Sequence, residues 1–179
     1  MTGYVRVVNL RPDMGSETAP EPHEVCVRID RQNPVLGNPY VLKNKLDARE
    51  REKVISAYRD DLLADMAQKG PMFDAVNAIA DRVENGESIC LQCWCKPLPC
   101  HGDVVAQAVE DVLAARKLFE LWEERAAIHE FEAGLTRKEA EKMALQGLVE
   151  SHGKPAARQM FEWHIAPRER KKSRTLRAA

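Results

Sequence analysis

Apolar residues recur with a period of two in some stretches and at helical spacing in others, and the switches between the two periods delimit the elements. Val5-Arg6-Val7-Val8-Asn9-Leu10 is a short β-branched run and predicts a first strand. Residues 11–24 are rich in proline, glutamate and glycine and predict a loop. Val25-Cys26-Val27-Arg28-Ile29-Asp30 alternates and predicts a second strand. Residues 31–39, with two prolines and a glycine, form a defined loop. Asp47 can cap the next segment, where Val54, Tyr58 and Leu62 predict a helix over 47–69 that Gly70-Pro71 breaks. Met72, Val76, Ile79 and Val83 predict a second helix, ending near Asn85-Gly86. Residues 88–94 read as a third strand, apolar enough to be central. A further helix starts near Gly102-Asp103 and runs through Val105, Val109 and Val112.

Strands separated by a helical crossover predict an α/β fold: a small, Rossmann-like, mostly parallel sheet flanked by helices. All-β and bundle folds fit poorly. This α/β domain is placed at residues 1–117. A helical extension follows over 118–166, where Thr136 and Glu139 fit a capping box and Phe119, Trp122, Phe161 and Trp163 are the apolar anchors. A disordered basic tail is expected over 167–179, with six Lys or Arg residues against Glu169.

The chain has 179 residues, 44% apolar and 31% charged, with a formal net charge of −1, so global disorder is excluded and nothing drives the whole chain towards nucleic acid. No run approaches a membrane span, and the first residues lack a secretory pattern, so a cytoplasmic protein with no membrane partner is expected. Five cysteines in a reducing compartment point to metal or thiol chemistry rather than a disulfide framework.

Four of the five lie between Cys90 and Cys100. By strand alternation, Cys93 and Cys95 share one face and Cys90 takes the other, as a buried small apolar residue. Trp94 alternates away from Cys93 and Cys95 and is expected in the core. Pro97 and Pro99 stiffen the chain on its way to Cys100-His101-Gly102-Asp103 at a helix start. Two chemistries suit this cluster. Cys93, Cys95, Cys100 and His101 complete a tetrahedral zinc shell, although adjacent Cys-His ligands are awkward. Alternatively, the helix terminus activates Cys100, His101 acts as general base or phosphate contact, Asp103 orients it or caps the helix, and free N–H groups around Gly102 bind an anion. Arg31, Gly37 and Asn38 form a loop suited to an anionic ligand, or a rigid turn with Arg31 solvated. Asn9 and Arg11 end the first strand on the same edge and carry the same two readings.

Val7-Val8-Asn9-Leu10-Arg11, Val27-Arg28-Ile29-Asp30-Arg31 leading to Leu36-Gly37-Asn38-Pro39-Tyr40, and Cys93-Trp94-Cys95-Lys96-Pro97-Leu98-Pro99-Cys100-His101-Gly102-Asp103 are the stretches by which residues 5–113 resemble the domain of unknown function 4326 family. That family is often found in bacteriophages and mobile elements. Its pattern usually has a glycine where this chain has Asp30, and Cys90 stands outside it. The resemblance implies a family domain and supplies no reaction. From the residues, the leading expectation is an enzyme acting on a nucleotide or on a base within nucleic acid, with Cys100 or His101 carrying the chemistry. The rivals are a zinc-stapled, non-catalytic module that contacts nucleic acid or a host protein, and an anti-defence factor that binds a nucleotide signal without turning it over.

Overall fold

In the computed structural model, described here for residues 3–11, 19–160 and 162–163, the chain forms three strands and five helices. The strands are β1 (Val5–Asn9), β2 (Val25–Arg28) and β3 (Ile89–Cys93), and the helices are α1 (Ala48–Gln68), α2 (Pro71–Glu84), α3 (His101–Glu132), α4 (Arg137–His152) and α5 (Lys154–Met160). The sheet order is β1-β3-β2, with both pairs parallel. β3 is therefore central, and Ile89, Cys90 and Leu91 are fully buried. The α/β class and the parallel sheet are as the periodicity predicts.

Local chemistry sets the element ends. Asp47 Oδ1 accepts from the N–H groups of Arg49 and Glu50, satisfying two donors at the head of α1. Lys69 closes α1 in the left-handed region, at φ 56°, and Pro71 opens α2. β2 stops at Arg28, two residues before the predicted end at Asp30. The Asp30 carboxylate accepts from Arg28 Nε and Nη2, from Gln32 N–H and from Trp94 Nε1, which bends the chain out of the ladder.

Residues Met1–Val112 form one compact unit and Leu113–Ala179 a second. α3 runs unbroken past the boundary expected between 117 and 118. In the second unit, Phe119, Trp122, Ala126, Ala144, Leu148 and Met160 build a core of their own. Both halves of the Thr136–Glu139 capping box are formed at the head of α4. The side chain of Phe161 and the basic tail expected over 167–179 lie outside the described residues. Among the described residues, no helix is long and apolar enough to cross a membrane.

Candidate functional site

β3 delivers Cys93 at its carboxyl end, and the Pro97/Pro99 segment returns the chain so that His101 opens α3. The adjacent side chains of Cys100 and His101 converge here because Cys100 lies just before the first turn while His101 lies within it. One ligand atom each from Cys93, Cys100 and His101 falls within 4.8 Å of the others, and all three residues are buried. His101 Nδ1 lies 3.6 Å from Cys100 Sγ and 3.8 Å from Cys93 Sγ. At the other end of the ring, Nε2 is 2.8 Å from the Ile29 carbonyl oxygen. A carbonyl only accepts, so Nε2 carries the proton and Nδ1 turns its lone pair to the sulfurs. Tyr58 packs edge-on against the imidazole, with ring centroids 4.9 Å apart, and its hydroxyl donates to the Leu36 carbonyl.

Cys95 is half-buried and shares thiol hydrogen bonds with Cys100 and Cys93, which hold it well below the ordinary thiol range against the opposing effect of burial. Cys100 is pushed up, first by its contact with Cys93, then by Cys95 and by burial. For Cys93 the Cys100 contact acts downward, but the Cys95 contact and burial outweigh it and raise the thiol to about 11. Crowding of the three sulfurs opposes a second thiolate, which would meet like charge in a low-dielectric site. Burial depresses His101, so the ring is neutral at neutral pH.

The remaining predicted residues divide into two groups. Asn9 is buried and braces the cysteine loop: its Nδ2 donates to the Lys96 carbonyl and its Oδ1 accepts from Arg11 N–H. Gly102 packs α3 onto the sheet, since a Cβ there would lie 2.8 Å from both Ile29 Cδ1 and Val7 Cγ1. The backbone at the head of α3 is already engaged. Gly102 N–H donates to Cys100 Sγ, and Asp103 N–H to the Cys100 carbonyl. Asp103 accepts from Cys100 N–H and pairs with Lys96 at 2.5 Å, so it caps the helix while the Ile29 carbonyl orients His101. Gly37 likewise serves a tight turn, with Asn33 O 2.4 Å and Asp30 O 2.6 Å from where a Cβ would stand.

The second group faces a cavity of about 600 Å³ beside the cluster. Arg31 and Asn38 line it, Asn38 buried with its Oδ1 accepting from Tyr40 N–H, and Arg31 exposed with Nη2 donating to the Tyr40 carbonyl. Cys95 also lines the cavity. Arg11 lies over the Trp94 ring, 5.6 Å from its centroid. Trp94 corrects the expectation of a core residue. It is 52% exposed and lines the cavity, because β3 ends at Cys93 and alternation no longer governs the next residue.

Two residues escaped the sequence reading. Arg51 is 8% exposed on α1 and lines the cavity, donating to the Pro99 and Lys45 carbonyls. Its signal was a charge within the helical register, indistinguishable from a solvated face. Tyr58 registered only as a core position of the same helix.

No curated protein and no solved structure matches the chain. A family profile described as Domain of unknown function (DUF4326) matches residues 14–111, more than half of the sequence, from after β1 through β2, α1, α2, β3 and the cysteine loop into α3. With its Cys-Trp-Cys to Cys-His-Gly-Asp loop inside the matched stretch, the chain belongs to the DUF4326 family.

Proposed function

We propose that the sheet unit is a zinc-stapled binding module whose cavity takes a free, phosphate-bearing ligand of the nucleotide class. The carrying observation is the division of the His101 ring between a carbonyl and two sulfurs. Metal-bound histidines commonly hold their second N–H on a carbonyl or carboxylate. Zinc bonds of about 2.3 Å to sulfur and about 2.0 Å to nitrogen set a tetrahedral S···N edge of about 3.5 Å. The separations of 3.6 and 3.8 Å at Nδ1 fit that edge. Cys95 stands outside the tight group of three, on the cavity lining, and would supply the fourth ligand. Three thiolates on a divalent ion leave one negative charge, and Arg51, which acts electrostatically on Cys95, offsets it. A general base needs a nitrogen within reach of substrate. His101 has both nitrogens engaged and is 4% exposed, which favours the ligand role over the base.

The ligand class rests on the cavity wall. Arg31 and Lys45 line it without a carboxylate partner among the described residues. Trp94 adds a half-exposed ring, and Leu42, Val54 and Ile55 add apolar surface. Cations and a ring together suit a phosphate on a flat heterocycle. An enzymatic form of this reading rests on Cys95. Cys93, Cys100 and His101 alone form the tight group, and a three-ligand zinc with its fourth position towards a cavity is the arrangement of catalytic sites.

Elemental analysis of the purified chain tests the metal, with one zinc per chain expected and a metal-free folded chain ruling it out. Calorimetry with a panel of nucleoside phosphates, followed by mass analysis, tests the ligand. Binding with nucleotide recovered intact supports the module, and conversion supports the enzyme. Arg31→Ala should weaken binding about tenfold, the value of one charge-assisted hydrogen bond. Binding to oligonucleotides alone would reassign the partner to nucleic acid.

A further inference from the structure

We propose that Cys26 and Cys90 are a peroxide-reactive modification site that closes to a reversible disulfide. The two residues are in register on the neighbouring strands β2 and β3. Their sulfurs lie 2.7 Å apart as free thiols. Neighbouring strands run about 4.7–4.9 Å apart, inside the Cα separation of about 4.4–6.8 Å that a disulfide spans. Closing the bond at about 2.04 Å brings the sulfurs together by only about 0.7 Å. Two thiols with no imidazole or third sulfur beside them do not make a metal shell, and among the described residues the one metal-competent group is Cys93, Cys100 and His101. Cys90 is three residues from Cys93 on the same strand, so alternation turns it to the opposite face of the sheet. The thiol pair and the His101 cluster are therefore separate sites.

The pair is asymmetric, and the asymmetry orders the chemistry. Cys26 is exposed on the edge strand β2, whereas Cys90 is fully buried on the central strand. Burial, then the contact with Cys26, pushes the Cys90 thiol up to about 12. The Cys26 thiolate meets hydrogen peroxide first: sulfur attacks one peroxide oxygen, the O–O bond breaks, and a sulfenic acid and hydroxide form. Cys90 sulfur then attacks the Cys26 sulfur, the S–O bond breaks, and water leaves with the Cys90 proton. Hydroxide takes the proton that Cys26 gave up on ionising. In sum, two thiols are oxidised by two electrons and one peroxide is reduced to two waters.

The test treats the full-length chain with one equivalent of hydrogen peroxide, alkylates free thiols and maps the peptides by mass spectrometry. The expected result is loss of both Cys26 and Cys90 from the alkylated pool and a linked peptide lighter by two hydrogens. A thiol reductant should return both. In Cys90→Ala, which keeps a small apolar side chain at the buried position, Cys26 should stop at the sulfenic acid and be trapped by a cyclic diketone. In Cys26→Ser, an exposed change, the linked peptide should be absent and Cys90 should stay unoxidised. Recovery of both thiols alkylated after peroxide would overturn the proposal. So would a Cys26 link between two chains, or a Cys90 link that survives Cys26→Ser.

Discussion

Two groups of sulfur sit on the same small sheet, and they are assembled differently. Cys26 and Cys90 meet because parallel register puts them side by side on β2 and β3. Cys93, Cys95 and Cys100 meet because the chain leaves β3, turns through Pro97 and Pro99, and starts α3. The first group has sulfur alone. The second includes an imidazole whose N–H donates to a backbone carbonyl and whose lone pair faces the sulfurs. The two proposals follow that difference: sulfur with sulfur suits two-electron oxidation, whereas sulfur with an oriented nitrogen suits a metal. What distinguishes two cysteine sites is the partner atom that the fold brings to them.

The largest expected effect is at the His101 cluster. Binding of a structural zinc contributes on the order of 10 kcal/mol, comparable to the whole stability of a domain at about 5–15 kcal/mol. Chelation, or His101→Ala, should therefore unfold the sheet unit outright, read as loss of far-ultraviolet circular dichroism together with loss of zinc. A variant that melts like the wild type would remove the distinction between the two groups. Gly102→Ala comes next. Its methyl would meet Ile29 and Val7 at 2.8 Å, against the sheet and one residue from His101. Overpacking of this kind costs about 1–3 kcal/mol, and displacement of the head of α3 should also weaken metal binding. Denaturant melts and a competitive zinc titration check both effects.

A smaller effect is expected at Glu24, near the thiol pair. Burial acts to raise this carboxyl, but hydrogen bonds from Arg6, the Glu21 backbone and Tyr4 outweigh it and bring it down to about 2. A carboxylate whose pKa is lower in the folded state contributes stability above its unfolded value, about 4.3. That contribution fades as pH falls towards about 2. Glu24→Gln should thus cost about 1–2 kcal/mol at neutral pH, and the gap from wild type should narrow on acidification. A gap that stays constant from pH 7 to 3 would contradict this. Smallest is Cys26→Ser, an exposed change expected to shift reduced-state stability by no more than about 0.5 kcal/mol. A large loss in reducing buffer would mean that Cys26 packs as core rather than serving as the open half of a reactive pair.

Some of this is legible without coordinates. Periodicity places β1, β2, β3, α1 and α2 within a few residues because each buries one face, and a buried face imprints its period on the sequence. Asp47, Pro71 and the Thr136–Glu139 box are visible for the same local reason, since caps act over three or four residues. The convergence of Cys93, Cys100 and His101 follows from a strand end, two prolines and a helix start. Long-range relations are a different matter. That Ile29 supplies the carbonyl for His101, that Asn9 braces Lys96, that Arg51 comes to lie beside the cysteines and that Cys26 meets Cys90 all depend on which elements neighbour one another. The β1-β3-β2 order and the packing of α1 join residues 48 to 87 positions apart. Local preferences extend only a few residues, so they specify the elements and the loop chemistry. The direction of the His101 lone pair and the pairing of Cys26 with Cys90 are set by packing between elements, where the energy depends on neighbours that no short window of sequence contains.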